Sequence, residues 1–143
     1  MRRIAGYAAL YNVETYSVGN FTERIQKGAF SKSIKKDDIR ALFNHDSNYV
    51  LGRVKSKTLT LEEDEKGLKY RVTPPDTTWA KDLMVSIKRG DITQNSFGFE
   101  LIKERWQRGS DGGNVRILEE VKLFDVSPVV FPAYSETELW VED

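Results

Sequence analysis

A succession of short apolar and polar alternations, each cut off by turn residues, limits the fold of this chain more than any other feature. "LGRVKSKTLTLEED" alternates, "EDEKG" supplies a turn, and "LKYRVTP" alternates back. Side chains on a strand leave alternate faces, so the pair reads as a hairpin with one face for a core. "RIAGYAALY" and "FTERI" read as two more strands, separated by a polar loop around Ser17 to Asn20. "GAFSKSIKKDD" accommodates a short helix before "IRALF" extends again. Further on, "NSFGFELIKERW" is a strand, "GSDGGN" a loop, and "VRILEEVKLFDVSPVVF" two further strand-like stretches. Pro74 and Pro75 fall at a strand end, where a missing N–H does least harm.

One segment has the helical period. In "TTWAKDLMVSIKRGD", Ala80, Leu83, Met84 and Ile87 recur at i, i+3, i+4 and i+7, with Thr77 or Thr78 as the N-cap. Lys88 and Arg89 suit the last turn, and Gly90 the C-terminal stop. The expected class is mainly β with a few helices (α+β). Many short strands in one small chain predict a closed or nearly closed antiparallel β-barrel flanked by helices, because closure removes exposed edges.

Composition narrows the chemistry. The 143 residues suit a single domain, 1–143, with no linker or repeat dividing it. Lys and Arg number 22 against 22 Asp and Glu, without a basic block, which argues against nucleic acid as a partner. There is no cysteine and one histidine, so disulfides and thiolate nucleophiles are excluded, no metal site is expected and no cofactor is implied. The opening "MRRIAGYAALYN" is interrupted by Gly6, Tyr7 and Asn12 too soon for a signal-peptide core, and no apolar run reaches membrane-spanning length. The expectation is a soluble intracellular protein with no membrane partner.

Such a chain can still hydrolyse bonds with a serine activated by a base, usually histidine, and the sole candidate for that base is His45, in "FNHDSN". Ten serines compete as its partner. In "NSFGFEL" the period of two puts Ser96, Gly98 and Glu100 on one face and Phe97, Phe99 and Leu101 on the other. The phenylalanines then anchor the strand while Ser96 faces outward, beside a glycine that lets another backbone, such as a peptide substrate, approach. A third member should be a carboxylate that orients the imidazole. Asp125, between Phe124 and Val126, sits within an apolar strand and needs a partner there; Glu119 and Glu120 are the alternatives. The competing readings are a polar-loop histidine and an ordinary strand serine.

Taken in order, "GYAALYN", "ERIQKGAF", "NHDSNYVLGR", "GLKYRV", "IKRGDITQNSFGF" and "LFDVSPVVFPAY" closely resemble the prohead maturation proteases of tailed bacteriophages, relatives of the herpesvirus assemblins. The likeness runs from Gly6 to Tyr134. It implies a serine endopeptidase on an assemblin-like β-barrel, with the histidine of "NHD" falling on His45, the serine of "SFGF" on Ser96 and the acid on Asp125. The phage family more often has Glu just before its "VS". The implied role is cleavage of scaffold, or of the scaffold-like segment of the major capsid protein, and of the protease itself, inside the immature capsid in the cytoplasm of the infected bacterium. A homodimer or higher homo-oligomer is the expected assembly. Arg53 in "VLGR" is a candidate to assist backbone N–H groups at the oxyanion. The chain ends at Asp143, soon after "FPAY", where many relatives continue with a tail, and the sequence leaves open whether a C-terminal segment was removed. The rival reading is a non-catalytic β-barrel module that binds capsid or scaffold.

Overall fold

The computed structural model describes residues 2–14, 20–133 and 137–143. Its strands are β1 (Arg3–Leu10), β2 (Phe21–Ile25), β3 (Arg40–Phe43), β4 (Asp46–Arg53), β5 (Leu59–Glu63), β6 (Gly67–Val72), β7 (Gln94–Arg108), β8 (Asn114–Val129) and β9 (Glu138–Glu142). The helices are α1 (Ser31–Lys36) and α2 (Thr78–Arg89). The mainly β, α+β class therefore holds. Of the loop expected at Ser17 to Asn20, only Asn20 falls within the described residues.

Local signals place most of these elements. Ala80, Leu83, Met84 and Ile87 are the buried residues of α2, and Gly90 ends the helix with φ 86°, a conformation that favours glycine. β5 and β6 form the expected hairpin, with Glu63 opposite Leu68. Two readings need correction. The alternation from Leu51 to Asp64 is broken by a turn at Val54–Lys57, closed by a 3.0 Å bond from the Lys57 N–H to the Val54 carbonyl. The last two strand-like stretches are one strand, β8, paired along its length with β7.

The barrel is also corrected. Among the described residues the strands form two open sheets, ordered β5-β6-β1-β9 and β2-β8-β3-β4 with β7 on the other edge of β8. Nor is pairing wholly antiparallel: β2 and β3 both run parallel to β8. The physical reason lies in that second edge of β8. β2 occupies it at residues 114–118 and β3 at 125–126. Between them the Val121 N–H reaches the Ala29 carbonyl (3.1 Å) and the Leu123 N–H reaches Ser33 Oγ of α1 (2.8 Å). Two short strands and a helix thus share one edge end to end, satisfying its backbone groups. The sheet is lengthened along β8 rather than widened, and is too narrow to curl onto itself.

One buried apolar cluster joins both sheets and α2, with Ile4, Leu68, Tyr70 and Val72 from the first sheet and Phe97, Leu118, Leu123 and Val126 from the second. A polar knot crosses it. Asn95 of β7 is fully buried; its Oδ1 accepts from Tyr70 Oη at 2.5 Å and its Nδ2 donates to the Glu138 carbonyl at 2.6 Å. Its N–H donates to Thr137 Oγ1 at 2.8 Å. Gly6 leaves the room, since a Cβ there would overlap the Glu138 carbonyl oxygen and crowd Asn95. Asn95→Leu strands the Tyr70 hydroxyl and the Glu138 carbonyl, and is expected to cost about 2–5 kcal/mol in a urea unfolding titration.

Candidate active site

His45 owes its position to a two-residue hairpin turn. Asn44 and His45, between β3 and β4, have φ 54° and 58°. Positive φ at both central residues is what the tight turns of twisted hairpins demand, and Asn and His tolerate it better than most residues. The turn is held against the end of β8: the Asn44 N–H donates to the Pro128 carbonyl (3.0 Å) and Asn44 Oδ1 accepts from the Val130 N–H (3.1 Å). The His45 N–H donates to Ser127 Oγ at 3.3 Å.

Asp125 reaches the same place through a bulge. Gly98 pairs with Asp125 and Phe99 with Leu123, so Phe124 is an extra residue on β8. Plain alternation from Val121 and Leu123, both core residues, would send Asp125 into the core as well. The extra residue reverses the parity: Val126 enters the core and Asp125 takes the opposite face. There Asp125 Oδ2 lies 2.7 Å from His45 Nδ1 and accepts the Ser127 hydroxyl at 2.5 Å.

A carboxylate only accepts, so Nδ1 of the neutral ring carries the proton and Nε2 keeps the lone pair. The hydrogen bond to Asp125 raises the His45 pKa above 6.5, against the opposing effect of burial. The side chain is 38% exposed while that of Asp125 is 10% exposed, which leaves the imidazole open to an incoming molecule and its carboxylate covered.

Ser96 pairs with Ser127 and Gly98 with Asp125, so all four share one face of the sheet. Ser96 is 7% exposed, more buried than an outward strand position implied. Among the described residues no hydrogen bond joins its hydroxyl to His45. Gly98 also differs from expectation: the space beside it is taken by the Asp125 carboxylate rather than left for a substrate. A Cβ at Gly98 would overlap Asp125 Oδ1 and lie 3.8 Å from His45 Nδ1. Gly98→Ala is expected to displace the carboxylate and lower turnover by about 10- to 100-fold, read by steady-state kinetics on a folded variant.

The remaining candidates lie elsewhere. Glu119 faces Arg105 (3.7 Å) and Glu120 faces Lys32 (3.2 Å). Arg53, at the far end of β4 from His45, is held by Asp38 with Nε at 2.7 Å, so the structure gives it no role at an oxyanion. Among the described residues no group of His, Asp and Glu converges to hold a metal ion. Ser127 and the Asn44–His45 turn escaped the sequence reading. The spacing of two in "DVS" was the available sign of the former, and "FNHD" between strand patterns of the latter. Beside Asp125 a groove of about 620 Å³ opens, lined by the apolar Leu42, Val50 and Phe124 and by the charged Asp37, Asp38, Arg40 and Lys122.

Across residues 1–143 the sequence matches the profile of the caudovirus prohead serine proteases. The chain belongs to that family. It is accordingly a serine peptidase, a hydrolase of peptide bonds, and the family's role is in capsid maturation, with capsid proteins as substrate. No curated protein matches the chain. Among the described residues of this family member, no helix is long and apolar enough to cross a membrane.

Proposed function

We propose that the chain cuts scaffold, or the scaffold-like segment of the major capsid protein, and then itself, with Ser96 as nucleophile, His45 as general base and Asp125 as the group that orients the imidazole. One observation carries the reading: the Asp125-bound imidazole lies on the sheet face that Ser96 shares with Gly98 and Asp125. Nε2 takes the Ser96 proton as Oγ attacks the peptide carbonyl, then returns it to the leaving amine. Water repeats the cycle on the acyl-enzyme. Work inside the immature capsid and assembly as a homodimer or larger oligomer belong to the same proposal. Fluorophosphonate treatment followed by peptide mapping tests it. An adduct on Ser96 is expected, and an adduct confined to another serine overturns the assignment.

The groove beside Asp125, part apolar and part charged, suits an extended polypeptide. Phe124 is 51% exposed and Val50 43%, large apolar surfaces left to solvent in the groove that Asp125 borders. Replacing Phe124 with serine is expected to raise KM about fivefold with kcat little changed, because the contact is made equally in ground and transition states.

The pH dependence has two opposite signs. General-base catalysis needs neutral His45, so activity rises as the pH passes the folded pKa, which is raised above 6.5 by Asp125. The stabilisation that this pair contributes is fully present below the unfolded value of 6.5 and is lost as the pH rises through the folded value. Turnover profiles and urea midpoints measured over the same range should therefore move in opposite directions through this titration.

A further inference from the structure

Three hydrogen bonds close a ring around the His45–Asp125 pair. The His45 N–H donates to Ser127 Oγ (3.3 Å), the Ser127 hydroxyl donates to Asp125 Oδ2 (2.5 Å), and that same oxygen lies 2.7 Å from His45 Nδ1. We propose that Ser127 is a positioning residue of the peptidase, its single hydroxyl locking the backbone of the histidine and the carboxylate of the acid to each other. The proposal rests on the assignment of His45 and Asp125 made above.

Each direction in the ring is forced. A backbone N–H only donates and a carboxylate only accepts, so Ser127 Oγ must accept from one and donate to the other. Its one proton is committed to Asp125, and with 0% exposure it meets no substrate, which separates it from Ser96 directly across the strand pair. The need for a lock is local. His45 holds φ 58°, a conformation that side chains other than glycine rarely adopt, and it persists only where the surroundings fix it. Asn44 docks the turn on β8 through the Pro128 carbonyl and the Val130 N–H, and the Ser127 hydroxyl adds the bond that ties the His45 backbone to the Asp125 carboxylate. Asp125 is the charged partner facing the ring, and it lies inside the same network.

The test uses the chain's lone histidine, whose imidazole signals need no assignment by mutation. In Ser127→Ala, kcat is expected to fall on the order of 10- to 100-fold with KM little changed, since a loosened base costs the transition state and not binding. The imidazole titration, followed by NMR in a Ser96→Ala background, should leave its unaltered position, because Asp125 Oδ2 loses one of its two donors. Ser127→Thr, which keeps the hydroxyl, should recover most of the turnover. A titration that stays where it was, with kcat intact in a folded Ser127→Ala, overturns the proposal while leaving the peptidase reading in place. Cleavage retained by Ser96→Ala would instead remove Ser96 as the nucleophile and leave the clamp measurable. Should Ser127→Ala not fold, hydrogen exchange of the His45 amide in the unaltered chain decides: protection supports the clamp, and exchange at the rate of an open turn refutes it.

Discussion

Ser96→Ala is expected to lower cleavage of a capsid or scaffold polypeptide by on the order of 10³- to 10⁶-fold while leaving the fold and its stability nearly unchanged. The chemical half follows from the proposed mechanism: without Oγ no acyl-enzyme forms, and the residual rate is whatever binding and electrostatics supply. The structural half follows from position. Ser96 is buried, but its hydroxyl holds no hydrogen bond to another described residue, so alanine removes a polar atom without stranding a partner. Asn95 is the contrast. One residue earlier, it ties β7 to β6 and β9, and its loss should appear in the unfolding midpoint. Measuring kcat/KM and urea midpoints for both variants separates the reacting serine from the residue that seats its strand. Cleavage at the unaltered rate by folded Ser96→Ala would sink the assignment.

The sequence made these elements legible to different degrees, and the difference is physical. Alternation and the i, i+3, i+4 pattern are local, and so β1, the β5–β6 hairpin and α2 could be read directly, down to Gly90 at the helix end. Barrel closure was misread because the pairing of β2 and β3 with one edge of β8 is non-local and parallel, which no run of residues encodes. The same holds at the site. His45 and Ser96 stood out by rarity and by a neighbouring glycine, but the use of that glycine was misread. Gly98 clears space for Asp125, a residue far along the chain. Asp125 itself faces the site only because Phe124 is bulged, and strict period-two counting would have buried it beside Leu123. Ser127 looked like any strand serine because its significance depends on where the Asn44–His45 turn docks.

Asp125→Asn is expected to be the second most damaging substitution, lowering kcat on the order of 10³- to 10⁴-fold with a small change in KM. The amide has nearly the shape of the carboxylate, and with its oxygen at the Oδ2 position it can still accept from both His45 Nδ1–H and the Ser127 hydroxyl. Packing and turn are then preserved, and what is lost is the charge that stabilises the imidazolium formed as Ser96 gives up its proton. If the amide turns the other way, its NH₂ faces Nδ1, the ring must carry its proton on Nε2, and the base is blocked outright. Either arrangement removes the effect that lifts the His45 pKa, so the imidazole titration should fall below its value in the unaltered chain. The acid limb of the residual activity should move down with it. The stability contributed by protonated His45 at low pH should shrink in step, because a histidine titrating near its unfolded value has no linkage to folding. Rate loss with an unmoved imidazole titration would mean that Asp125 acts through some group other than His45, and a titration that moves without rate loss would mean that His45 is not the base.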